Sequence, residues 1–277
     1  MKNFKTTLLF SIISISSFAQ NTFQFKGSLN PNSVYEVKMN SEIDMKMLID
    51  TPVTLDGFDK ESKSKMVSAF ELQTKSFNQL PNNDVPFEIT YKNIKIDAEL
   101  NNESLLYDSN SFKALYDVKL KGISNENGRS DLVYEGPAEY KETFNGMLKS
   151  FESFMKYPTE TFSIGQSHTI PFTTEIPLEN GGNYNLELVV KYTLMQLEND
   201  WAYFDVLTFS NPKEQEMNGM MVSIDQYSIA GQMKVNQKDN NIYESSLEGP
   251  MNMTMQKDDL KIKMSFTYKY KLSSIKK

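Results

Sequence analysis

From Leu260 to Leu272 the chain reads LKIKMSFTYKYKL, apolar or aromatic at every second position with lysine, serine or threonine between. A repeat of two places Leu260, Ile262, Met264, Phe266, Tyr268, Tyr270 and Leu272 on one face of an extended strand. Lys261, Lys263, Ser265, Thr267, Lys269 and Lys271 fall on the other. Such a stretch extends about 43 Å at ~3.3 Å per residue, whereas ordinary strands run ~17–20 Å. A ribbon that long and oily on one side has three options in water. It curls around something, packs on a second layer, or holds an apolar guest.

The same rhythm recurs. In YEVKMNSEIDMKMLI, Tyr35, Val37, Met39, Ile43, Met45, Met47 and Ile49 share a face opposite Glu36, Lys38, Asn40, Glu42, Asp44 and Lys46. Residues 184–194, 201–209 and 221–235 alternate similarly. In VPFEITYKNIKIDAEL the apolar phase changes from odd to even near Tyr91 to Ile94, which predicts a bulge. Between the strands lie turn-forming clusters, LNPNS, LPNND, NENG, ENGGN, END, KDNN and KDD, rich in residues that tolerate positive φ or fix it. Connections this short join antiparallel neighbours, so the pattern predicts an all-β antiparallel meander.

One segment departs from the period. In GPAEYKETFNGMLKSFESFMKYP, Tyr140, Phe144, Met147, Leu148, Phe151, Phe154 and Met155 recur at spacings of three and four. Pro137 suits a first helical turn and Pro158 a stop. The expectation is one main amphipathic helix at about 138–156, laying Phe144 and Phe151 against the sheet. The expected fold is one domain over 20–277, a long antiparallel meander curved into an open half-barrel around that helix.

The opening MKNFKTTLLFSIISISSFAQ has the parts of a secretory signal: lysines, a short apolar run, and small residues before Gln20. The reading is a signal peptide over 1–19 and a protein exported to the periplasm or the extracellular space. Removing that segment takes Lys2 and Lys5 but no carboxylate, shifting the formal charge from −7 to −9. Arg129 is the sole arginine, and the lysines are dispersed along strands, so a nucleic-acid surface has little to build on. No other stretch has the length of a membrane helix, and the absence of cysteine excludes disulfides and thiolate metal sites.

The order of DVKLKGISNENGRSDLVYEG, a helix and FSIGQSHTIPF resembles an uncharacterised family of secreted bacterial β-rich proteins. That family is in turn similar to the outer-membrane lipoprotein carrier superfamily. The resemblance implies a curved, open half-barrel whose hollow is closed by helices and holds acyl chains. Carriers of that kind use a cavity arginine to govern release. Arg129 lies in a Gly/Asn-rich turn instead, so that role does not transfer.

Catalytic patterns are scarce. His168 is the only histidine, no serine sits in a G-x-S-x-G elbow, and the carboxylates fall on the solvent phase of strands. The expectation is a non-enzymatic protein with no cofactor. Methionine is the one enrichment, 16 in all. Met251, Met253 and Met255 stand two apart, a spacing that would suit Cu(I), but methionine serves more often as adaptable filler in an apolar wall. The candidate apolar lining is Met39, Met45, Met47, Phe144, Phe151, Met253, Met264, Phe266 and Tyr268, with a lipid or acyl chain as the expected partner. The competing reading is a structural or interaction protein of the cell envelope with a filled core. A transmembrane β-barrel is a third, opposed by the mid-chain helix and a mean hydropathy of −0.49.

Overall fold

The computed structural model describes residues 22–51, 59–105, 109–126, 128–138, 141, 157–177, 183–211, 213–217 and 219–277. In the N-terminal half the strands are β1 (Thr22–Gln24), β2 (Val34–Asp50), β3 (Glu61–Ser76), β4 (Val85–Leu100), β5 (Glu103–Leu105), β6 (Lys119–Asn125) and β7 (Gly128–Glu135). The C-terminal half holds β8 (Thr161–Ser163), β9 (Ser167–Pro177), β10 (Asn183–Glu198), β11 (Trp201–Ser210), β12 (Lys213–Met217), β13 (Met220–Asn236), β14 (Ile242–Lys257) and β15 (Leu260–Lys276). A 3-10 segment, Ser109–Asp117, precedes β6 and was not expected.

One antiparallel sheet runs β7-β6-β4-β3-β2-β15-β14-β13-β11-β10-β9, with β5 on β4 and β12 on β13. It is two meanders rather than one. The first runs outward from β2 to the β7 edge, and the second returns from the β9 edge to β15. They meet where β15 pairs with β2 from Lys261↔Asp50 to Lys276↔Tyr35. The edges β7 and β9 do not pair with each other, so the sheet is not closed into a barrel.

Every alternating stretch seen in the sequence is a strand, and β15 continues its ribbon past Leu272 to Lys276. The phase change in β4 is a bulge at Lys92: Glu71 pairs with Asn93 and Leu72 with Tyr91. Positive φ occurs at Asn32, Asn83, Asn199, Asn240 and Asp258, each inside a turn cluster read from sequence.

Residues 22–33 form a strap across one end of the sheet. Phe23 and Phe25, with Phe162 from the small β1–β8 sheet, are buried against Tyr192, Leu194, Phe204, Met233 and Val235. Farther along, Leu29 is buried with Tyr35, Val85, Phe87, Val118 and Leu120. Between them, Gly27 N–H donates to Glu126 O at 3.1 Å and Lys26 N–H to Asn240 Oδ1 at 2.7 Å. Arg129 Nη2 of β7 comes within 3.5 Å of Asn241 Oδ1, beside the start of β14. In hydrogen-bonding order six strand spacings separate β7 from β14. On a flat sheet that would be about 29 Å at ~4.8 Å each. The sheet is therefore rolled across this end.

The segment expected to be a signal peptide, residues 1–19, lies outside the described residues. So does the helix expected at about 138–156, apart from Ala138 and Lys141. The picture of a half-barrel wrapped around that helix is corrected in one respect: at the rolled end the apolar face is covered by the strap and the β1–β8 pair, whose aromatic residues are buried there.

Candidate functional site

The pairing register decides which residues become neighbours. On the central strands it builds rows running across the sheet on the apolar face. Met253 pairs with Met264, Met264 with Met47, and Met47 with Ser62. The next row is Met251, Phe266, Met45, Ser64 and Leu100. After it come Gly249, Tyr268, Ile43, Met66 and Ala98. Met45, Met47, Met253, Met264, Phe266 and Tyr268 thus stand together as one patch. Met39 is on the same face, paired with Leu272 and Phe70, about 20 Å along β2 at ~3.3 Å per residue. Phe144 and Phe151 lie outside the described residues.

Coverage of this patch falls from β14 to β3, and on β4 Ala98 is buried while Leu100 is exposed. Met251 and Met253 are buried with Leu186, Leu188, Val222 and Ile224. Met264, Phe266, Tyr268, Met45 and Met47 are half-buried. Met66 is 37% exposed and Leu100 43%. The Phe266 and Tyr268 rings stack at 6.0 Å, and the Tyr268 hydroxyl points to Met251 Sδ at 3.8 Å. Burial pushes the Tyr268 phenol above its ordinary pKa. Tyr227 is pushed up to about 12 by burial and by nearby Tyr268, and Tyr270 to about 12 by burial and by Tyr157. These phenols stay neutral, as an apolar wall requires.

Sequence reasoning missed the share of β3 and β4 in this wall. Inward positions of β3 include Ser62, Ser64 and Ser68 between Met66 and Phe70, so the apolar alternation is broken there. Its pairing with β2 was the available signal.

The remaining candidates resolve structurally. His168 donates from Nε2 to Thr161 O at 3.3 Å, and its ring meets Phe162 edge-on at 4.5 Å, fastening β9 to the β1–β8 pair. The Met251 and Met253 thioethers pack among aliphatic and aromatic side chains, the setting of filler. Among the described residues no group of three or more His, Cys, Asp or Glu side chains could hold a metal ion. Arg129 sits at the rolled end, its guanidinium 5.7 Å over the Phe87 ring, away from the methionine rows.

No protein-family model matches the chain, and no curated protein sequence matches it. A structure of lipid–protein interactions in lipovitellin shares the fold with a TM-score of 0.52 at 7% identity over 90% of this chain. This chain spans 26% of that lipovitellin chain. The V. cholerae type IV competence pilus secretin PilQ aligns over 98% of this chain and 64% of its own at 11% identity. Its TM-score of 0.25 is too low to indicate a shared fold. Among the described residues no helix is long and apolar enough to cross a membrane.

Proposed function

We propose that this is a non-enzymatic binding protein of the cell envelope or extracellular space that takes a lipid or acyl chain on the apolar face of its sheet. The observation that carries this reading is the register-built patch of Met45, Met47, Met264, Phe266 and Tyr268. Its side chains are half-buried, while both clusters at the rolled end are packed tight. Thioethers and aromatic rings adapt to chains of varied shape, and each methylene transferred from water contributes about 0.8 kcal/mol. No covalent step is involved. The lipovitellin likeness supports the reading only at the level of fold.

The test is mass spectrometry of organic extracts from natively purified protein, together with titration by a fluorescent fatty acid. A copurifying lipid and saturable probe binding are expected, with Met47→Lys and Met264→Lys each weakening the probe roughly tenfold. Neither lipid nor probe binding would leave the second reading, a filled-core envelope protein, which the burial of Met251 and Met253 favours.

A further inference from the structure

The opposite, hydrophilic face carries a groove of about 850 Å³ across β11, β13, β14, β15 and β2, within the ~300–1,000 Å³ range of small-ligand sites. Its floor is two adjacent register rows. One runs Tyr203, Lys234, Glu244 and Ser273. The other runs Asp205, Gln232, Ser246, Lys271 and Asn40. Five strands wide, the groove is about 19 Å long at ~4.8 Å per spacing. A bulge in β10 between Leu194 and Gln196 sets Gln196 against Tyr203 and leaves Met195 48% exposed at the groove's end. Bulges commonly re-aim side chains in this way.

We propose that this groove binds a short, neutral oligosaccharide chain. The charges on its floor cancel. Lys234 and Lys271 face Asp205 and Glu244, and Lys234 already pairs with Glu244 at 3.1 Å, so neither an anion nor a cation is drawn in. Gln232 Nε2 reaches Asp205 Oδ1 at only 3.4 Å, a weak bond that a ligand hydroxyl would replace. Amides, carboxylates, hydroxyls and ammonium groups together offer both donors and acceptors, which suits a polyhydroxylated guest rather than an acyl chain. Tyr203, over whose ring the Lys234 ammonium stands at 5.9 Å, supplies a ring edge and face beside which the C–H face of a pyranose would rest. Beside it, Trp201 holds the Lys234 ammonium 4.5 Å from its ring centre and meets Tyr243 edge-on at 5.0 Å, fixing this wall of the groove.

Calorimetric titration of the intact protein with cellohexaose, xylohexaose, laminarihexaose and chitohexaose tests the proposal. At least one is expected to bind. Tyr203→Ala and Gln232→Ala should each weaken it roughly tenfold, the loss typical of central contact residues. Met47→Lys, on the other face, should leave it unchanged, so this result and the lipid result stand or fall separately. Gln232→Ala guards against a folding defect in Tyr203→Ala, with thermal melts of both variants compared. The proposal is overturned when none of the four sugars binds, or when binding persists unchanged in both groove variants.

Discussion

Ser124 joins two elements through one hydroxyl. Fully buried, its Oγ accepts from Leu29 N–H at 2.7 Å and donates to Gly27 O at 3.0 Å. Ser124→Ala strands both backbone groups, at about 1–3 kcal/mol for each one left without water or protein partners. A matching drop in the denaturant midpoint with unchanged slope is the expected outcome. Gly27 is constrained differently: a Cβ there would overlap the Gly128 backbone, so the strap approaches the β6–β7 turn as closely as it does only with glycine. The turn asparagines were legible because their short side chains tolerate positive φ. The roles of Ser124 and Gly27 were not, because they depend on a contact between residues 95 or more positions apart.

The tyrosines set the alkaline limit. Tyr35 is pushed up to about 12, chiefly by burial and then by the Asp239 carboxylate, while Tyr227 and Tyr270 reach about 12 through burial. In the unfolded chain a tyrosine ionises near ~10. Between these values the unfolded state releases protons that the folded state keeps. The stability they contribute is therefore complete below ~10 and lost as pH rises towards about 12. Phenolate absorbance followed beside thermal melts should show late titration coupled to unfolding; uncoupled titration of all tyrosines near ~10 would refute this.

Among the elements, β4 shows how local pattern and register cooperate. Lys92 is the extra residue that lets Val85, Phe87, Ile89 and Tyr91 share a face with Ile94, Ile96 and Ala98. Deleting Lys92 would turn one half of the strand over and expose its apolar residues. Loss of soluble folded protein by circular dichroism is expected, whereas Lys92→Ala, which keeps the bulge, should fold. The edge strands carry their own protection: Pro171 removes a donor from β9, and Asp131 at φ 55° kinks β7. On the wet face, Glu42 of β2 bonds Lys65 of β3 and Lys269 of β15, each at 3.1 Å. Both lysines hold its carboxyl below the ordinary range. Because the group is only half-buried and both lysines are exposed to solvent, Glu42→Gln should shift the melting temperature only slightly.

At the scale of the molecule, the first and last long strands meet at the centre of the sheet. Residues 34–50 wait for 260–276 before the two meanders can join. Contacts so distant in sequence make folding slow. A chain ending at Asp259 should leave two half-sheets with oily inner edges and aggregate rather than fold, a result read from its sedimentation. The two faces of the joined sheet then serve separate proposals, an apolar patch for a lipid and a polar groove for a sugar.

Alternation within strands determined by itself that this chain is β-rich and two-faced, since a repeat of two residues is a property of each segment alone, and the short turn clusters between strands made it antiparallel. It also marked the methionines and aromatics of 35–49 and 260–272 as the oily faces of two strands. Tertiary structure alone decided that β2 and β15 are neighbours, that the sheet rolls, and that a strap from the N-terminal side covers its end. Those outcomes rest on hydrogen bonds and packing between residues far apart in sequence, for which backbone pairing has no sequence code.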